Sequence, residues 1–169
     1  MCSTDRMRRH FRIAACCITA LILCMIPVSG ISFSATLDDE GYRYYATVLV
    51  NETGRYDLIQ PGMVGERIPL QPINLTVRNE TSSLEITPDR GELKFPKGNY
   101  SISYESAVTS NTIHLLFTEP ADVSFTLPHP FMITNPLLTS LQPSGSVIEE
   151  GNNTTRISWT KVRSVEIRY

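Results

Sequence analysis

The sequence predicts an all-β, antiparallel β-sandwich-like domain behind an N-terminal signal or anchor segment. Three observations carry this. From Tyr42 onward the chain runs in short segments whose apolar and polar residues alternate with a period of two, the pattern of a half-buried strand. Turn residues interrupt these segments at roughly the 8 to 12-residue spacing typical of sandwiches. No stretch carries a helical apolar stripe of useful length.

Taken in order, Tyr42, Tyr44, Ala46, Val48 and Val50 share one strand face; Ile73, Leu75 and Val77 another; Tyr100, Ile102 and Tyr104 a third; Val123, Phe125 and Leu127 a fourth. Each has a polar opposite face. Further strands are expected at Arg55 to Gln60, Ser83 to Thr87, Glu92 to Phe95, Thr112 to Phe117, Thr155 to Lys161 and Val165 to Tyr169, about ten in all. Turns are expected at Pro61-Gly62, Pro88-Asp89-Arg90-Gly91, Pro96-Lys97-Gly98 and Glu150-Gly151-Asn152, where proline presets φ and glycine accepts positive φ. The organisation is residues 1–30 as leader and 31–169 as the exported domain, with a two-subdomain split near residue 88 as the alternative to one core.

The leader has a basic start, Arg6, Arg8, Arg9 and Arg12, followed by the nearly uncharged apolar run Ile13 to Val28. That is the layout of a secretory signal, with cleavage sites at Gly30 or at Ser32 to Ser34 and a mature N-terminus near residues 31 to 35. An uncleaved Ile13–Val28 segment is the alternative. Extended to Phe33, the stretch from Ile13 is close to the roughly 20 apolar residues of a spanning helix and would hold the domain at the membrane with its arginines inside. Arg8-Arg9 followed by Phe11 is similar to a twin-arginine export signal, although Met7 stands where such signals carry Ser or Thr. A lipid anchor does not fit, because bulky Leu23 precedes Cys24.

Six of the asparagines, Asn51, Asn74, Asn79, Asn99, Asn152 and Asn153, stand in the N-glycan acceptor pattern Asn-X-Ser/Thr. Random placement of so few asparagines gives about one or two, so the excess predicts a glycoprotein surface. All four cysteines, Cys2, Cys16, Cys17 and Cys24, fall in the leader, leaving an exported domain without disulfides. Exported eukaryotic domains of this size more often carry bridges. Many acceptors without cysteine therefore point to an archaeal cell surface.

Without Arg6, Arg8, Arg9, Arg12 and Asp5, the body keeps 11 basic against 16 acidic residues and is mildly acidic. This argues against nucleic-acid binding, which needs a basic patch to neutralise phosphates. Asp38-Asp39-Glu40 reads as a solvated segment ahead of the first strand, since a calcium site needs more oxygen ligands.

No catalytic, cofactor-binding or metal-ligating set emerges. His114 sits within a strand and His129 between Pro128 and Pro130. No nucleophile elbow, phosphate loop or zinc-binding helix motif is present. Tyr42, Tyr44, Tyr45 and Tyr56 are candidates for stacking on sugar rings, against the plainer reading of strand tyrosines packed with their hydroxyls at the rim. Trp159 with Phe131, Leu137, Leu138 and Leu141 reads as a core patch beneath a proline-rich connection between sheets, with a binding loop as the alternative.

The last third also resembles a family. Leu127-Pro128, Phe131, Asn135-Pro136-Leu137-Leu138, Pro143-x-Gly145, Arg156-Ile157-Ser158-Trp159 and Val165-Glu166-Ile167-Arg168-Tyr169 are similar to a pattern in archaeal exported or membrane-anchored proteins of unknown function. The resemblance implies an exported domain and no catalytic residue. Relatives often continue past the Arg-Tyr end into a transmembrane helix.

The expectation is a non-enzymatic, secreted or surface-held β-domain of structural or interaction type, without cofactor, whose partners are cell-envelope or surface-layer components. A carbohydrate- or envelope-binding module is one alternative and a hydrolase with an unrecognised site the other. An exposed aromatic row on one sheet would mark the first. His114 or His129 in a cleft beside two carboxylates would mark the second.

Overall fold

The computed structural model describes residues 30–62, 64–129, 131, 133 and 139–169. The expected leader with its cysteines, Pro130 and Asn135 to Leu138 lie outside the described residues. Eleven strands are formed and no helix is present among the described residues: β1 Ile31–Leu37, β2 Arg43–Asp57, β3 Ile59–Pro61, β4 Arg67–Pro69, β5 Ile73–Arg78, β6 Ser83–Leu84, β7 Glu92–Ala107, β8 Thr112–Pro128, β9 Ser140–Gln142, β10 Val147–Glu150 and β11 Thr154–Arg168. One continuous sheet has the order β10-β11-β8-β1-β2-β7-β5-β6, with β9 beside the C-terminal half of β11. β3 and β4 form a separate hairpin.

The sandwich arises because four long strands fold back on themselves. Phe33 pairs with Val123 of β8, and six residues of extended strand separate Val123 from Phe117 by about 20 Å. Yet the Phe33 and Phe117 rings meet edge-on with centroids 5.5 Å apart. β8 must therefore turn back between Phe117 and Ala121, around Pro120. The same corner is visible in β2 and β7, whose register shifts between Val50 and Arg55, with Glu52 at φ 56°. β11 bends beside it, with register shifts on both sides of Val162 and Lys161 at φ 53°. These bulges add residues to one strand of a pair and bend it. Pro96-Lys97-Gly98 is part of this corner: β7 passes through it as a bend, so the turn expected there is not a reversal of the chain.

The bends also explain why the strand count differs. Arg55 to Asp57 continues the strand begun at Arg43, Glu92 to Phe95 continues into Tyr100 to Tyr104, Thr112 to Phe117 into Val123 to Leu127, and Thr155 to Lys161 into Val165 to Arg168. A bulge interrupts alternation without ending the strand, and so reads in sequence as two strands. Ser83 to Thr87 shortens to Ser83–Leu84.

A strand absent from the sequence expectation lies at the centre. β1 pairs antiparallel with β2 and parallel with β8, burying Phe33, Ala35 and Leu37. Its residues Ile31 to Ser34 look like the tail of the leader because they continue its apolar, small-residue composition. Asp38-Asp39-Glu40 is consequently the turn between β1 and β2, not a segment ahead of the first strand, and the Tyr42 amide donates to Asp38 Oδ1 at 2.8 Å. Tyr42 lies outside β2 and is 68% exposed, so it does not share the face of Tyr44. Ile73 is likewise exposed while Val77 is buried, because a bulge at Asn74, φ 54°, flips the face between them.

The two reversals with consecutive positive φ are Arg90-Gly91 (51° and 86°) and Ser110-Asn111 (55° and 53°). Both have the sense of twist that matches two-residue hairpins. In the first, Asp89 and Glu92 exchange backbone hydrogen bonds at 2.9 and 3.0 Å.

The buried side chains form one cluster between the layers. Trp159 belongs to it and donates its indole N–H to the Pro143 carbonyl at 2.9 Å, with Phe131 and Leu141 packed against the same cluster. Leu137 and Leu138 of the expected patch lie outside the described residues.

Candidate functional surface

The acceptor asparagines all stand outside the core. Asn51, Asn74, Asn99, Asn152 and Asn153 are exposed and Asn79 is half-buried. Asn51 and Asn99 sit one residue beyond the Val50–Tyr100 pair at the sheet corner, where the Glu52 amide donates to Asn99 Oδ1 at 3.0 Å. Asn74 is thrown outward by its bulge and donates from Nδ2 to Glu105 Oε1 at 2.6 Å. Asn79 Oδ1 accepts from the Thr81 and Ser82 amides at 3.0 and 2.7 Å, an Asx turn closing the β5–β6 hairpin. Asn152 and Asn153 form the exposed tip between β10 and β11.

The histidines occupy separate places. His114 Nδ1 lies 3.7 Å from Glu166 Oε2 on the neighbouring strand, beside an open cavity of about 450 Å³ bordered by Pro61, Gln142 and Ser164. His129 lines another cleft, of about 280 Å³, with Glu150, Asn152 and Asn153. Each cleft thus brings one carboxylate to its histidine. Among the described residues no three His, Cys, Asp or Glu side chains converge as a metal site. A cleft of about 730 Å³ at the sheet corner places Arg55 directly opposite Lys94, with Lys97 beside them. Glu52, Glu92 and Glu119 line the same cleft, and Glu92 pairs with Lys94 at 3.0 Å.

The four candidate tyrosines do not form one platform. Tyr44 and Tyr56 point into the core with Tyr104, while Tyr45, one residue out of phase, is 52% exposed. The Tyr56 and Tyr104 hydroxyls are hydrogen-bonded, as are those of Tyr104 and Tyr44, and Tyr44 also bonds Ser106. Burial, the dominant cause, pushes all three phenols above their ordinary pKa of 10.0.

The outer face of the large layer is a different matter. Strand register aligns Ser158 of β11, Ser124 of β8, Ser34 of β1, Thr47 of β2, Ser103 of β7 and Thr76 of β5 in a single row across six strands. The flanking rows hold Thr126, Thr36 and Tyr45 on one side and Ser32, Leu49 and Ser101 on the other. Charged side chains stand at the ends of these flanking rows: Arg156 and Glu105 on one, Asp122 and Arg78 on the other. The local Ser-x-Ser-x-Thr of residues 32–36, Ser101-x-Ser103 and Ser124-x-Thr126 are visible in the sequence, but their alignment depends on register between distant strands.

The chain belongs to a family of unknown function, DUF5803, whose model matches residues 33–169. The matched segment begins inside β1 and runs through β11, so it spans every strand of the bent sheet. No curated protein matches the sequence.

Proposed function

We propose that this chain is an exported, N-glycosylated domain of an archaeal cell surface, with a structural or interaction role and no catalysis. The supporting observation is the number of acceptors together with their placement: chance gives about one or two such matches, and all six stand on outer faces, bulges and turns where a glycan would meet solvent. The residues ahead of Gly30 serve as signal or as membrane anchor, and the partners are envelope or surface-layer components. The mild acidity of the body argues against nucleic acid.

Intact-mass and peptide mapping of the protein from its native cells tests this. Glycopeptides covering several of the six asparagines, together with a processed or membrane-retained N-terminus facing outward, are the expected result. Unmodified asparagines on a chain recovered from the cytoplasm would remove the proposal.

The second reading, a carbohydrate- or envelope-binding module, is favoured by one observation, the row of six Ser and Thr side chains across the outer sheet face.

A further inference from the structure

We propose that the outer face of β8, β1, β2 and β7 binds an uncharged linear polysaccharide lying across the strands, along the row Ser124, Ser34, Thr47 and Ser103. The proposal deepens the surface reading above and rests on it where the acceptor asparagines enter the argument.

Surface strands ordinarily carry charged residues on their wet face. Here Ser32, Ser34, Thr36, Thr47, Ser101, Ser103, Ser124 and Thr126 occupy it without one lysine, arginine or carboxylate among them; charges stand at Arg156, Asp122, Glu105 and Arg78, and Arg156 reaches onto one end of the row, donating from Nε to Ser124 Oγ at 2.8 Å. A neutral face rimmed by both signs selects against a polyanion or a polycation. Hydroxyls both donate and accept, which matches the mixed donor and acceptor edge of a sugar. Strand spacing sets them about 4.8 Å apart, so the six-strand row is about 24 Å long, a ladder for an extended chain.

Two apolar side chains sharpen the fit. Tyr45 and Leu49 flank Thr47 on the same face of β2 and are 52% and 48% exposed. Their position on either side of the row offers the apolar face of a sugar ring a surface while the hydroxyls engage its edge.

Size and framing favour a thin ligand over a protein. The central row is about 24 Å long, but each flanking row is uncharged over only three strands, about 10 Å, so the uncharged strip covers less than about 300 Å². A specific protein interface needs about 800 Å² per partner. The acceptors Asn51 and Asn99 border the window at the sheet corner and Asn74 borders it beside Glu105. Glycans there obstruct a broad partner and leave the strip between them open.

The test is affinity electrophoresis of the full exported chain through gels containing hydroxyethyl cellulose, mannan or dextran, with heparin as the anionic control. Retardation by at least one neutral polymer and none by heparin is expected. The double variant Ser34→Ala with Thr47→Val removes one exposed and one half-buried hydroxyl at nearly constant shape; it should melt with the parent and bind at least tenfold more weakly. Tyr45→Ala should weaken binding as well. Free migration through all three neutral gels, or retardation unchanged in the double variant at an unchanged melting temperature, overturns the proposal. So does a dimer in sedimentation that Thr47→Arg dissociates, since the face would then receive a second copy. Glycopeptide mapping of the same preparation separates the two readings: a chain without glycans that is still retarded refutes glycosylation and keeps the binding face.

Discussion

Tyr56 and Tyr104 are hydrogen-bonded through their hydroxyls, although Tyr104 pairs across the sheet with Ala46, ten residues earlier in the strand that carries Tyr56. Ten residues of extended strand span about 33 Å. The contact exists only because β2 doubles back at Glu52 to Gly54, and it links the two layers by a polar bond inside an otherwise apolar core. Buried hydroxyls of this kind must find partners, and here they find one another and Ser106.

Alkaline stability follows from this trio. Below pH 10 the tyrosines are protonated folded and unfolded alike, and their contribution is complete. Above 10 the unfolded chain releases these protons while the folded chain, with Tyr44, Tyr56 and Tyr104 raised by burial, retains them. Stability is then lost as pH climbs toward the folded values, by about 1.4 kcal/mol per pH unit for each proton the folded chain still retains. Denaturant melts from pH 9 to 12 should give this slope. Tyr56→Phe, which has no proton to release, should flatten it, and an equal slope in that variant would show that the trio does not control it.

Two glycines of positive φ stand in opposite surroundings. At Gly91, φ 86°, a Cβ would meet the Leu58 carbonyl at 2.6 Å; at Gly65, φ 83°, it would meet open space. The Leu58 amide also bonds the Gly91 carbonyl, tying the turn to the β2–β3 junction. Gly65→Ala should cost about 1 kcal/mol for the left-handed backbone alone, and Gly91→Ala about 2 kcal/mol or more on top of that. Equal losses by thermal melt would mean that the turn shifts freely.

Much of the fold was legible in local pattern. Tyr100, Ile102 and Tyr104, or Val123, Phe125 and Leu127, are inward because nothing breaks their period of two, and the structure buries all six. The reading failed where a bulge broke the period, as at Asn74, and where composition imitated something else, as in Ile31 to Ser34. The fold-back was not legible at all, because the bend in β8 at Pro120 and that in β11 at Lys161 acquire meaning only once the strands are side by side. The hydroxyl row has the same character: six short Ser/Thr residues in six segments become one surface through register alone. The acceptors, by contrast, are a three-residue signal, and their outward placement needed no long-range information.

Processing is constrained by β1. Ile31 to Thr36 pair with both β2 and β8, and Phe33 touches Phe117 across the core. Cleavage after Ser34 would remove Phe33 and half of a central strand, whereas cleavage after Gly30 leaves β1 whole. The mature N-terminus is expected at Ile31 or earlier, read by N-terminal peptide mass spectrometry. A chain beginning at Ala35 should be unfolded or lose several kcal/mol; one that melts with the parent would show β1 to be dispensable.

Trp159 separates a core role from a binding role. Its side chain is 4% exposed and its indole N–H reaches the Pro143 carbonyl, which stands at the surface. Trp159→Ala should lose about 3 to 5 kcal/mol, the range for removing a large aromatic from a packed interior. Trp159→Phe keeps most of the apolar volume and gives up the hydrogen bond. One part-buried hydrogen bond is then lost with little volume, so the loss there should be smaller, about 1 kcal/mol. Urea unfolding of the two variants measures both differences. An alanine variant as stable as the parent would mean that the ring is not part of the core and would move Trp159 to the list of exposed aromatics available to a ligand.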